Sequence, residues 1–121
     1  MANTFKVINF AAEPNSAGTP FTMYTVASST TTVVLGLILA NINTTAVTAE
    51  VELVSTTSNR AGANNASNGT SFLIKDVTIP TGSSLELLSG GKVVLEASDE
   101  IKIDCSVADK LSGTLSIMEI T

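Results

Sequence analysis

Along most of this 121-residue chain, apolar and polar side chains alternate with a period of two. Turn-forming residues interrupt the alternation roughly every ten positions. No window carries the i, i+3, i+4, i+7 apolar stripe of an amphipathic helix. The alternation predicts strands over Thr4–Phe10, Phe21–Val26, Thr30–Asn41, Thr45–Val54, Thr70–Ile79, Leu85–Leu88, Val93–Leu95, Glu100–Val107 and Thr114–Ile120. The run Thr30–Asn41 is β-branched and nearly continuous and reads as a central strand buried on both faces, with Gly36 marking a bulge or a close backbone approach. In Thr45–Val54, Val47, Ala49, Val51 and Leu53 face a core, while Ala46, Thr48, Glu50 and Glu52 face solvent. In Glu100–Val107, Ile101, Ile103, Cys105 and Val107 point inward and Lys102, Asp104 and Ser106 outward. About eight or nine short strands at this spacing define an all-β chain, an antiparallel β-sandwich of jelly-roll-like form.

The breakers between strands have identifiable chemistry. In Pro80-Thr81-Gly82-Ser83, proline fixes one φ and glycine permits a positive φ two positions later. Ser89-Gly90-Gly91-Lys92 is a second tight turn. Residues 55–69 hold little that could be buried and read as a long exposed loop. Residues 1–20 read as an extended N-terminal arm followed by a loop containing Pro14, Gly18 and Pro20. The whole of 1–121 reads as one domain, long enough to bury a core without disulfides or metal.

Composition removes several function classes. Charged residues are 14% of the chain, and 6 basic residues against 11 acidic ones leave a net charge of −5. That balance opposes binding to nucleic acid, whose phosphates need Lys and Arg, and docking on an anionic membrane surface. The single cysteine permits no disulfide within the chain, and there is no histidine. The N-terminal residues lack the basic-then-apolar pattern of a secretory signal, so synthesis in a cytoplasm is expected. On the same ground the Asn-x-Ser/Thr triplets at Asn43, Asn65 and Asn68 read as chance matches.

The residues offer little to catalysis. A Ser or Cys nucleophile needs a neighbouring base, and histidine is missing. Cys105, on the inward side of its strand, reads as a small core residue. Asp99, Glu100 and Asp104 form no calcium loop and read as turn and surface acids. Glu50 and Glu52 share a solvated strand face. Aromatic residues are 4%, too few for the stacking platforms of a sugar-binding cleft. The glycines match no phosphate-binding loop. An enzyme is not expected, nor is any cofactor or metal.

Two stretches carry a resemblance. They are Phe72-Leu73-Ile74-Lys75-Asp76-Val77-Thr78-Ile79-Pro80-Thr81-Gly82-Ser83-Ser84-Leu85, and Gly91-Lys92-Val93-Val94-Leu95-Glu96-Ala97-Ser98-Asp99-Glu100-Ile101-Lys102-Ile103, followed by Leu115-Ser116-Ile117-Met118-Glu119-Ile120. Residues 33–121 resemble small β-sandwich virion proteins of tailed phages, with Ser98 standing where that pattern more often has glycine. The resemblance implies a virion structural protein, made in the host cytoplasm and built into the head, neck or tail. The reading it favours is a capsid decoration or cement protein that stabilises the major capsid shell. A neck, tail or fibre-associated module is the alternative, and a host-surface or glycan-binding module a weaker one. The expected partners are the major capsid protein, other virion proteins and further copies of the chain, a homo-oligomer such as a trimer. The contact residues expected are Phe5, Val7 and Phe10 in the N-terminal segment, and Asn59, Arg60, Asn64 and Asn65 in the 55–69 loop.

Overall fold

A computed structural model of the chain describes residues 2–55, 69–88 and 92–121. Among the described residues nine strands follow one another: β1 (Asn3–Glu13), β2 (Phe21–Thr25), β3 (Thr31–Asn41), β4 (Val47–Val54), β5 (Thr70–Ile79), β6 (Ser84–Leu87), β7 (Val93–Leu95), β8 (Glu100–Cys105) and β9 (Leu111–Ile120). They form two antiparallel sheets. The five-stranded sheet runs β1-β9-β3-β6 with β7 also on β3, and the four-stranded sheet runs β2-β8-β4-β5. The chain is an all-β sandwich, as the alternation requires.

β6 and β7 lie end to end along the same side of β3, opposite Leu37–Ala40 and Thr32–Val34 respectively. Counted as one interrupted edge, they leave eight positions, and the sheets then read 1-8-3-6 and 2-7-4-5. This winding, in which successive strands cross between the layers except at the β4–β5 pair, is that of a jelly roll.

The two inner faces meet in a core of side chains closed to solvent. Val34, Leu39, Leu115 and Ile117 come from the five-stranded sheet, and Val51 and Ile103 from the four-stranded one. Burying one such side chain fully stabilises the fold by about 1.5–3 kcal/mol. Phe10 pairs directly with Gly113 across β1 and β9, and its ring lies where a Gly113 side chain would stand. The same ring meets Phe21 edge-on, with centroids 5.3 Å apart. That contact pins β1 to β2 in the opposite layer.

Several sequence expectations are corrected by the structure. β3 is central but not buried on both faces, since Ile38 is 45% exposed. Its register with β9 shifts between Val34 and Gly36, so Leu35 is an extra residue in a bulge. Buried positions are even-numbered before the bulge (Thr32, Val34) and odd-numbered after it (Leu37, Leu39). A phase flip inside a period-two strand looks like a continuous apolar run. No atom approaches within 4 Å of a side chain placed at Gly36, so the bulge, not close approach, is what it marks.

Val107 is 36% exposed because β8 ends at Cys105. Asp104, expected in solvent, is only 9% exposed: the loop before β2 folds over it, and Asp104 Oδ1 accepts from the Gly18 N–H at 3.2 Å. Asp99 is fully buried and closes its own turn by accepting the Glu96 N–H at 2.9 Å. Asn41 is buried too, donating to the carbonyls of Thr45 and Ile79 and accepting from the Asn43 N–H. The turn at Pro80 forms as its residues require, with Ser83 N–H on the Pro80 carbonyl and Gly82 at φ 71°. Most of the expected 55–69 loop and the Ser89-Gly90-Gly91 turn lie outside the described residues.

Candidate functional site

In an antiparallel sheet, residues directly opposite one another share a face. One row of such residues crosses the five-stranded sheet on its outer side. Phe5 of β1 faces Met118 of β9, Met118 faces Val33 of β3, and Val33 faces Val94 of β7. Phe5 is 71% and Val94 53% exposed, so the row opens to solvent at both ends. Beside it stand Val7, 66% exposed opposite Ser116, and Ile38 opposite Thr114 and Glu86. Phe5, Val7, Leu35 and Ser116 line a shallow groove of about 270 Å³. Among the described residues paired on this outer face, Glu86 alone carries a charge.

β1 is the edge of that face. Ala2 and Thr121 exchange both backbone hydrogen bonds, at 2.9 and 3.0 Å. Such pairs alternate along an antiparallel ladder with pairs that exchange none. The register from there to Phe10 opposite Gly113 is unbroken. Even-numbered residues of β1 therefore spend their backbone groups on β9. Asn3, Phe5, Val7 and Asn9 direct theirs to the free edge, and these are the residues whose side chains lie on the outer face.

A polar clasp holds the N-terminal half of β1. Glu119 of β9 takes the Lys6 ammonium at 2.7 Å. Its other carboxylate oxygen accepts the Tyr24 hydroxyl proton at 2.6 Å, from β2 in the opposite sheet. The same hydroxyl lies 2.7 Å from the Thr32 hydroxyl of β3. Burial, reinforced by the Glu119 bond, pushes the Tyr24 phenol up to about 12. The Lys6 and Tyr24 bonds draw the Glu119 carboxyl below its ordinary value. The clasp ties four strands across both layers.

The four-stranded sheet turns charge outward instead. Glu50 stands opposite Asp104, Glu52 opposite Lys102, and Val54 opposite Glu100. Lys75 of β5 meets Glu50 at 3.1 Å, and its ammonium lies 4.6 Å from the centre of the Phe72 ring. Glu50, Asp76, Asp104 and Cys105 border a hollow of about 340 Å³. Cys105 is 3% exposed, and burial raises its thiol pKa. Among the described residues, no three His, Cys, Asp or Glu side chains are grouped to hold a metal.

The residues expected as contacts separate. The N-terminal segment is an edge strand of its own sheet, and within it Phe5 and Val7 are open to solvent. Phe10 is not available to a partner, because its ring is taken up by Gly113 and Phe21. Asn59, Arg60, Asn64 and Asn65 lie outside the described residues. Met118, Val33 and Val94 complete the row and went unnoticed in the sequence, since each reads as an ordinary strand residue until register aligns them.

No family model matches the chain. No curated protein matches it either. One solved structure, described as "Bacillus endospore appendages form a novel family of disulfide-linked pili", superposes with a TM-score of 0.47 at 16% identity, over 99% of this chain and 87% of that one.

Proposed function

We propose that this chain is a non-enzymatic structural subunit that docks into a larger protein assembly through the outer face of its five-stranded sheet. In the finer reading it is a phage capsid decoration protein seated on the major capsid shell, with a neck, tail or fibre position as the alternative. The uncharged row Phe5–Met118–Val33–Val94 carries the proposal. Depletion of charge is the compositional mark of an interface core, whereas scattered apolar residues need no partner. Four strands about 4.8 Å apart and some ten residues long present a face of roughly 600 Å². That approaches the roughly 800 Å² per partner of a standard protein–protein interface. The residues that resemble phage virion proteins supply the finer reading.

The test is sedimentation of the purified protein with capsid shells lacking it, beside a Val94→Glu variant. Binding of the parent, abolished in the variant, supports the decoration reading. A parent that stays in the supernatant sinks it and moves the search to neck, tail and fibre components.

A further inference from the structure

Among the described residues the sandwich has four strand edges, and three are spoiled for pairing. β2 has five residues and a register shift between Thr22 and Tyr24. β5 is irregular on both sides of Val51, carries Asp76 at φ 53°, and bears Lys75. The β6/β7 edge is interrupted, with Leu88 at φ 64°. Short length, bulges and lysines are the usual devices that keep a sheet edge from adding another strand. β1 is different. It runs without a register shift from Asn3 to Phe10, and Asn3, Phe5, Val7 and Asn9 offer a free N–H and C=O each. Its one blunting residue in that stretch, Lys6, is drawn back toward β9 by Glu119 at 2.7 Å.

We propose that β1 pairs antiparallel with β1 of a second copy about a two-fold axis, joining two five-stranded sheets into one continuous sheet. This rests on the reading of the chain as an assembling subunit and names its first partner. The edge suits itself: its outward residues Asn3, Phe5, Val7 and Asn9 are amides and apolar residues without charge, so pairing the edge with itself sets no like charges opposite one another on the outer face. A two-fold contact needs such self-complementarity. Centring the axis on Lys6 would set two ammonium groups opposite each other, which is unfavourable. The axis therefore passes at Phe5 or at Val7. An axis at Phe5 sets Phe5 opposite Phe5 and makes the row from Phe5 to Val94 continuous across the pair, whereas an axis at Val7 sets Val7 opposite Val7 with Phe5 opposite Asn9.

Val7→Pro tests the pairing cleanly, because the Val7 N–H points to the free edge and its loss removes no bond to β9. In light scattering the parent should be a dimer, and V7P should dissociate about tenfold or more readily while keeping its circular dichroism spectrum. Should V7P misfold, single-cysteine variants in a Cys105→Ala background still decide: F5C or V7C should form a disulfide-linked dimer under mild oxidation, with Val94→Cys as the exposed control. A monomeric parent, an unchanged V7P dimer, or crosslinking through V94C in place of both β1 variants would overturn the proposal. A monomer that nonetheless sediments with shells refutes the β1 pairing and leaves the structural-subunit reading intact. A β1-crosslinked dimer that ignores shells upholds the pairing and refutes the decoration reading.

Discussion

The two sheets agree in what they bury and differ in what they show. Inward, both offer Leu, Ile and Val closed to solvent. Outward, the four-stranded sheet sets Glu50, Glu52, Glu100, Lys102 and Asp104 side by side, while the five-stranded sheet offers Phe5, Val7, Val33, Val94 and Met118. A chain with 14% charged residues has little charge to distribute, and this one does not spread it evenly. Folding needs only the inner faces. The asymmetry of the outer faces is therefore information about something other than folding, and contact with another surface is the use that fits it.

If the inner faces are equivalent, truncating either should cost the same. Leu115→Ala on the five-stranded side and Ile103→Ala on the other each remove a side chain with 0% exposure. Each should lose about 2–5 kcal/mol in urea unfolding. A markedly cheaper loss on one side would break the equivalence and show that one layer holds the core while the other merely covers it.

The next largest effect belongs to the five-stranded sheet alone. Gly113→Ala places a methyl group where the Phe10 ring lies. Overpacking of this kind costs about 1–3 kcal/mol. Phe10→Ala should be costly by itself, yet it removes the clash, so the double variant should be more stable than the two separate losses predict. Simple additivity would show that the ring swings aside freely and that Phe10 does not anchor β1.

Much of this comparison was legible in the sequence, and the unread part has a common cause. The alternation in β4 correctly sends Val47, Ala49 and Val51 inward and Thr48, Glu50 and Glu52 outward. The turn at Pro80–Ser83 forms on its own local chemistry. What local pattern does not carry is which distant segment lies opposite. Asp104 is an outward position that becomes buried because the loop bearing Gly18 crosses it. Asp99 is buried by the fold around its turn, with Val26 N–H bonded to its carbonyl. The row from Phe5 to Val94 links residues 5, 118, 33 and 94, and only the strand order puts them in line. The assembly surface is thus a property of topology, while the core is a property of alternation.

The clasp gives the comparison a pH axis. Glu119 has a lowered pKa in the folded chain, so its contribution is complete above the ordinary glutamate value of 4.5 and is lost as pH falls through the lowered folded value. Tyr24 has a raised pKa, so its contribution is complete below 10 and is lost as pH rises from there through about 12. Glu119→Gln should flatten the acid limb of a stability–pH profile and shrink, without removing, the alkaline limb from Tyr24, whose rise comes first from burial. The Lys6–Glu119 pair has one half-exposed partner and should contribute no more than about 1 kcal/mol at neutral pH. Tyr24→Phe should cost about 1.5–3 kcal/mol, the net worth of a hydrogen bond to a charged group. An acid limb that survives E119Q unchanged would show that the clasp does not set it.

The smallest effect on stability should accompany the largest effect on assembly. Phe5→Asp and Val94→Glu each put one acid into the uncharged row, at positions more than half exposed. Glu52→Gln and Lys102→Gln each take one charge from the other face, where the two stand opposite. All four should change unfolding free energy by no more than about 0.5 kcal/mol, because none alters a buried contact. Sedimentation with an assembly should separate them: the first two should lose binding, since a charge desolvated without a partner opposes association, and the last two should retain it. If instead the charged face is the one whose variants lose binding, the row from Phe5 to Val94 is ordinary surface, and the docking face is the acidic one around Glu50 and Asp104.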